Sequence, residues 1–406
     1  MADILFYPPF PSRPQLFDQL FRSVWHFLPA LQKIDRLVFP YSGDDYALLD
    51  TAQILSMAKL YLNRDLDPAI ADFAPSYQGK VEFPDAKSFD PARYRLKGIV
   101  VWQTSDQAVT EARRIAAQTG AEIVFADPAT VQQETLLTIR FVYQLFEQSE
   151  LEQLVMQCYR AFQQRLKAWK GKSVAAFGNG PSLAKVVSVR VDPKADLRMI
   201  CNSTLGDEAA LDHLNPEILF CGDPVQHCGA SLYAGKFRQD MARAMEVPSR
   251  VLITQLGYVP YFRLLVPESA HERIIGIGND RRPKFNLDLT QEFLTAATAN
   301  IFTMLVLPVA LTISKQVDIY GCDGMSFAVA TKPWSHANED DYMGKMAVTH
   351  RVHGGFWRRN YEEEFWSYCQ DMEDILAAAA GAGASVRART PSFVPALAKR
   401  YNPIST

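Results

Sequence analysis

Short unbroken apolar runs alternate along this chain with longer stretches that repeat apolar residues at helical spacing. In the first half the short runs are residues 4–7, 36–39, 98–102 and 122–126. Between them, residues 15–27, 46–61 and 106–118 carry the helical period. Apolar runs of four or five residues, without polar alternation, fit strands covered on both faces. Strands and helices in strict alternation predict a parallel, doubly wound sheet. Thr104 followed by Gln107 predicts a capping box for the helix at 106–118, and Gly120 predicts its stop. Residues 65–95 hold Pro68, Pro75, Pro84 and Pro91 with little periodicity, which predicts a long loop.

From about residue 130 to 170 the period is helical throughout. The alternation then resumes, with strands expected at 174–177, 197–201, 218–221, 251–254, 274–277, 317–320 and 385–387. The longest apolar run, 301–313, is interrupted by Thr303, Pro308 and Thr312 and is too short to span a bilayer. A buried helix is expected there. At 406 residues the chain exceeds one typical core. The expected architecture is α/β: two Rossmann-like doubly wound units joined by a helical connector. The boundaries are an N-terminal domain at 1–130, a connector at 131–170 and a second α/β domain at 171–406.

Composition narrows the function. Forty-two basic against 45 acidic residues give no basic excess of the kind a nucleic-acid footprint needs, so nucleic acid is not an expected partner. The six cysteines form no CxxC pair and are expected as reduced core thiols. Met1-Ala2-Asp3-Ile4 has neither a basic segment nor a long apolar core, so no signal peptide is read and a cytoplasmic location is expected.

Chemistry concentrates where strands of the second half end. Val174 to Phe177 run directly into Gly178-Asn179-Gly180-Pro181-Ser182, a turn that can expose N–H groups and open a helix. Such a turn suits a phosphate. Three later strand ends are also polar: Asn202-Ser203-Thr204, Gly222-Asp223-Pro224 and Gly321-Cys322-Asp323-Gly324. Asn and Asp after a strand are ordinary turn residues. Four such ends on one parallel sheet, however, would face one ligand along one edge.

GNGPSL, a Cys-Asn after the next strand, a polar-Pro pair after the third, and a late Gly-x-Asp together resemble bacterial CMP-sialic acid sialyltransferases of the lipooligosaccharide type. Related modules occur in motility-associated flagellin glycosyltransferases and in an archaeal pterin pyrophosphokinase group. The resemblance covers about residues 172–392 and is most specific at GNGPSL. It implies that Gly178, Asn179, Gly180, Pro181 and Ser182 hold the nucleotide phosphate and sugar. It implies a donor contact for Asn202 and a nucleoside contact for Gly321 and Asp323. Asp223 stands where the family has Asn. Thr298 and Asn300 lie near the family's Thr-Ser-Gly segment, whose Gly is missing here. The family's base is a His some thirty residues past the late Asp, which points to His353 and His350, with His336 in the same window. Tyr342 and Tyr361 are candidate hydroxyls for the leaving phosphate.

The implied activity is transfer of a sugar, a nonulosonic acid by resemblance, from a CMP-activated donor to an acceptor hydroxyl, with inversion and a His base. Imidazole titrates near neutrality and can take the acceptor's proton. The pairs Asp44-Asp45 and Asp340-Asp341 do not form an Asp-x-Asp after a strand, so no metal and no cofactor beyond the donor are expected. The partners are the nucleotide-sugar donor and a glycan or protein acceptor. Homo-oligomer formation, and contact of the basic C-terminal tail with a membrane surface, stay open. Two alternatives also stay open: an ATP- and magnesium-dependent pyrophosphokinase using the same loop, and a non-catalytic nucleotide-binding assembly protein.

Overall fold

The structure is a computed structural model that describes residues 2–24, 26–49, 74–127, 143–229, 231–325, 342, 344–346, 349, 356 and 359–403. The chain is mixed α/β with two parallel sheets, and it divides into two compact units. The first unit takes residues 1–150, 224–239 and 345–359, and the second takes 151–223, 240–344 and 360–406. Two stretches of the sequence's second half therefore belong to the first unit. Contact between residues far apart in sequence sets this grouping, and local periodicity does not report it.

The first unit holds β1 (Ala2–Tyr7), β2 (Ile34–Val38), β3 (Val81–Glu82), β4 (Leu96–Val101) and β5 (Glu122–Phe125), ordered β3-β2-β1-β4-β5. Ile4, Leu5, Phe6, Ile99, Val100 and Val101 are buried, as strands covered on both faces require. The chain winds from β1 through β2 to β3, then returns to the other side of β1 with β4 and β5. At the opposite end, the buried Asp3 carboxylate takes two bonds from Arg36 (2.9 and 2.7 Å) and one from the Arg95 N–H (2.8 Å). This ties β1 to β2 and to the entry of β4.

Helix α1 spans Arg13–Val24 and α2 spans Asp106–Thr119. The cap of α2 differs from the expected box. Ser105 Oγ accepts from the Ala108 N–H (3.2 Å), while the Thr104 N–H and hydroxyl both donate to Asp127 (2.8 and 2.9 Å). Ser105 is a competent N-cap one residue nearer the helix, and Asp127 claims Thr104 for a bond between loops. Gly120 ends α2 with φ +73°, and its N–H donates to the Ala116 carbonyl (2.8 Å). The proline-rich segment is not wholly loop. It contains β3, whose two residues are too few to produce a period. Of the helix expected at 46–61, Tyr46–Leu48 form a single 3₁₀ turn and residues 50–61 lie outside the described residues.

The second unit begins in α3 (Gln148–Trp169), which fills the later part of the expected connector; residues 131–142 lie outside the described residues. Its strands are β6 (Val174–Phe177), β7 (Leu197–Cys201), β8 (Ile218–Phe220), β9 (Val251–Gln255), β10 (Ile274–Asp280), β11 (Leu294–Ala296), β12 (Gln316–Tyr320) and β13 (Ser385–Ala388). They form one parallel sheet ordered β11-β10-β9-β8-β7-β6-β12-β13. Winding runs outward from β6 to β11, then returns to β12 on the other side of β6. Between β6 and β12 the direction of winding reverses. In such sheets ligands bind at that reversal, beyond the carboxyl ends of the strands.

Helices that bear on this edge are α4 (Ser182–Ser188), α5 (Glu208–Leu214), α6 (Leu232–Ala244), α7 (Leu307–Ile313) and α8 (Tyr361–Gly381). A π turn, Phe302–Val306, leads into α7, and both are fully buried, as the apolar run predicts. Pro308 stands in the first turn of α7, directly after the π turn. The six cysteines form no disulfide, and all but Cys322 are buried. Among the described residues, no helix is long and apolar enough to cross a membrane.

Candidate functional site

Register places the predicted strand ends in one row. Phe177 of β6 pairs with Tyr320 of β12 on one side and with Ile200 of β7 on the other. Cys201 pairs with Phe220 of β8, and Phe220 with Ile253 of β9. Gly321, Gly178, Asn202 and Gly222-Asp223 therefore emerge side by side from four adjacent strands. At the usual spacing, six strands from β12 to β10 make an edge about 24 Å long.

The 178–182 turn and the 321–324 loop are tied together tightly. The Gly178 N–H donates to the Tyr320 carbonyl and the Gly180 N–H to the Gly321 carbonyl (both 2.8 Å). The Ser182 N–H reaches both oxygens of Asp323 (3.1 and 3.3 Å), and the Ser182 hydroxyl donates to Oδ2 (2.8 Å). A Cβ on Gly178 would lie 2.6 Å from the Gly321 carbonyl, and one on Gly180 would collide with the Asp323 carboxylate. The glycines of this turn thus admit the neighbouring loop of the same chain. Pro181 and Ser182 open α4, as expected, but the anion at its N-terminus is Asp323.

This changes the chemistry of the crevice. The N–H groups of Gly178, Gly180 and Ser182 all have protein acceptors, so they are not aimed at a phosphate. What the crevice adds is a carboxylate. Burial raises the pKa of Asp323 above the usual carboxylate value, and the bonds from Ser182 oppose that rise without cancelling it. A half-buried carboxylate beside a strand switch can accept from ligand hydroxyl or amino groups.

Asn202 supplies a second acceptor. It takes φ +52°, in the left-handed region, and its Oδ1 is buried with no hydrogen-bond partner among the described residues. Thr204, only 2% exposed, likewise keeps its Oγ1 without a partner there. A buried polar atom without a partner costs about 1–3 kcal/mol, a cost that a ligand donor would remove. Asn179 donates to Ser203 Oγ (3.3 Å), which links the first turn to this one.

Farther along the row are residues that the sequence reading missed. Asn279 Nδ2 donates to Gln255 Oε1 (2.7 Å), and Gln255 Nε2 donates to the Gly222 carbonyl (2.9 Å). This chain of amides fixes the loop that carries the half-buried Asp223. Thr298 and Asn300 close the row from above. Asn300 Oδ1 accepts from the Phe302 N–H (2.8 Å), Thr298 Oγ1 pairs with Thr303 Oγ1 (2.9 Å), and a Cβ on Gly222 would come within 2.9 Å of Ile301. Gln255 and Asn279 carry no motif. Their only sequence signal is a polar residue at the carboxyl end of an apolar strand.

Tyr342, a candidate hydroxyl for the leaving phosphate, is buried. It is 2% exposed, and its hydroxyl donates in a short bond to the buried Asp240 of α6, against Gly206. Asp240 also pairs with Arg243 (3.0 Å), which reaches Glu208 (2.8 Å). The phenol is therefore held as an anchor beside the 202–206 turn. Tyr342→Phe removes one partner of a buried carboxylate and should cost about 1–3 kcal/mol in chemical denaturation. An unchanged midpoint would show that the bond carries no stability. Tyr361 opens α8, which Asn360 caps through the Glu363 N–H (3.2 Å). His336, His350 and His353 lie outside the described residues. Among the described residues, no group of three or more His, Cys, Asp or Glu is placed to hold a metal ion.

Comparison of the chain with protein-family models, with curated proteins and with solved structures returns no match.

Proposed function

We propose that this chain is a glycosyltransferase that moves a sugar, a nonulosonic acid by the sequence resemblance, from a CMP-activated donor to an acceptor hydroxyl. One observation carries the reading. Four polar strand ends picked out in the sequence meet on one edge at the reversal of strand order, and the Asn202 acceptor there is buried without a partner among the described residues. In this reading the ribose lies against Asp323, and the Asn202 amide oxygen takes a ligand hydroxyl or amine. The phosphate lies outside the 178–182 turn, whose N–H groups serve the 321–324 loop.

Transfer proceeds by single displacement. The acceptor oxygen attacks the anomeric carbon, the bond from that carbon to the phosphate oxygen breaks, and CMP leaves with the electron pair. His353 or His350 takes the acceptor's proton. No metal is assigned to the step. The N-terminal domain at 1–130 positions the acceptor or supports assembly, a division suggested by the four strand ends all lying between residues 178 and 324.

Thermal shift with CMP, CDP, UDP and ATP, each with and without magnesium, tests the donor class. A ligand at 100 times its Kd stabilises by about 2.7 kcal/mol. CMP and CDP are expected to raise the midpoint without magnesium. Stabilisation by ATP with magnesium alone would instead support the pyrophosphokinase alternative and reject the CMP donor.

A further inference from the structure

Resting on that reading of the crevice, we infer that Phe393 is a substrate-contacting residue whose ring stacks on the nucleobase of the bound nucleotide. The segment at 389–394 is a strap drawn across the 321–324 loop. The Arg389 N–H donates to the Ile319 carbonyl (2.7 Å), and Thr390 Oγ1 accepts from the Gly321 N–H (2.9 Å). Ser392 Oγ donates to the Cys322 carbonyl (2.6 Å) and accepts from the Val394 N–H (3.1 Å). The Phe393 N–H itself donates to the Asp323 carbonyl (2.6 Å).

Thr390 and Ser392 are bonded to the 321–324 loop, and Val394 is fully buried against the site where Gly324 passes Phe365. Phe393 itself is 60% exposed. A lone exposed aromatic is ordinary on a protein surface. This one differs because its backbone is fixed, by a direct hydrogen bond, to the residue whose carboxylate forms the crevice. A ring presented at so little conformational cost is preorganised for a flat ligand.

The chemistry beside it selects that ligand. Asp323 and Asn202 offer acceptors for hydroxyl and amino groups, so the polar part of a nucleoside belongs to them. The base attached to the ribose is the part that needs a π face, and stacking on an aromatic side chain serves any base.

The test compares CMP with ribose 5-phosphate, which keeps the sugar and phosphate and lacks the base. Binding to the full chain is measured by calorimetry for wild type, Phe393→Ala and Phe393→Tyr. Because the ring is exposed, both variants should fold with unchanged midpoints. Phe393→Ala is expected to weaken CMP about 10- to 100-fold, to leave ribose 5-phosphate binding as in wild type, and to be rescued by Phe393→Tyr. Wild-type CMP affinity in Phe393→Ala would overturn the stacking role and leave the nucleotide reading standing. Equal losses for both ligands would also overturn it, because the strap would then act only through structure. A wild-type chain that binds neither ligand would overturn the nucleotide reading and this inference together.

Discussion

Gly321→Ala should destabilise the eight-stranded unit by about 3 kcal/mol and abolish nucleotide binding. Two costs add. Gly321 has φ +64°, and an L side chain in the left-handed region costs about 1–2 kcal/mol. The new Cβ would also stand 2.5 Å from the Gly178 carbonyl and 3.1 Å from Leu183 Cβ, and overlap with backbone adds about 1–3 kcal/mol. Gly383 separates the two terms. It has φ +74° but nothing within 4 Å of its Cβ position. Gly383→Ala should therefore cost only the conformational part, about 1–2 kcal/mol, and leave binding intact. Equal denaturation midpoints for the two variants would mean that the approach of the 178–182 turn to the 321–324 loop is not tight.

The largest effect on rate is expected at the histidines. Replacing the general base by Ala should lower transfer about 10²- to 10⁴-fold, the usual contribution of a positioned proton acceptor. Made separately, His353→Ala and His350→Ala should differ, with one losing this factor and the other keeping most of its rate. Initial rates with a CMP-sugar and a hydroxyl acceptor give the answer. Full activity in both variants would remove the assigned base and, with it, the displacement mechanism as written.

Much of the sheet architecture was legible because parallel strands covered on both faces leave unbroken apolar runs. Val174–Phe177 and Leu197–Cys201 stand where the sequence places them. β3 and β11 were not legible, because two or three residues cannot establish a period. The site was legible in part. Glycine at 178 and 180 announces a close approach of backbone, and the sequence does not say what approaches. The guest is the 321–324 loop, whose Asp323 carboxylate lies 141 residues along the chain from its partner Ser182. The strap at 389–394 was hidden for the same reason. Read locally, Arg387, Arg389, Lys399 and Arg400 look like a solvated basic tail. In the fold, Arg387 and Arg389 pair with Asp318 (2.7 and 3.0 Å), and Thr390 and Ser392 close over the crevice. Gln255 and Asn279 were missed because an amide chain between neighbouring strands has no spacing to read.

A crystal structure of the full chain soaked with CMP tests the central claim most directly. The account predicts the nucleoside at the β6–β12 reversal, with ribose hydroxyls within hydrogen-bond distance of the Asp323 carboxylate and a ligand donor on Asn202 Oδ1. CMP bound on the first unit, or its phosphate seated on the N–H groups of Gly178, Gly180 and Ser182 with Asp323 displaced, would contradict it.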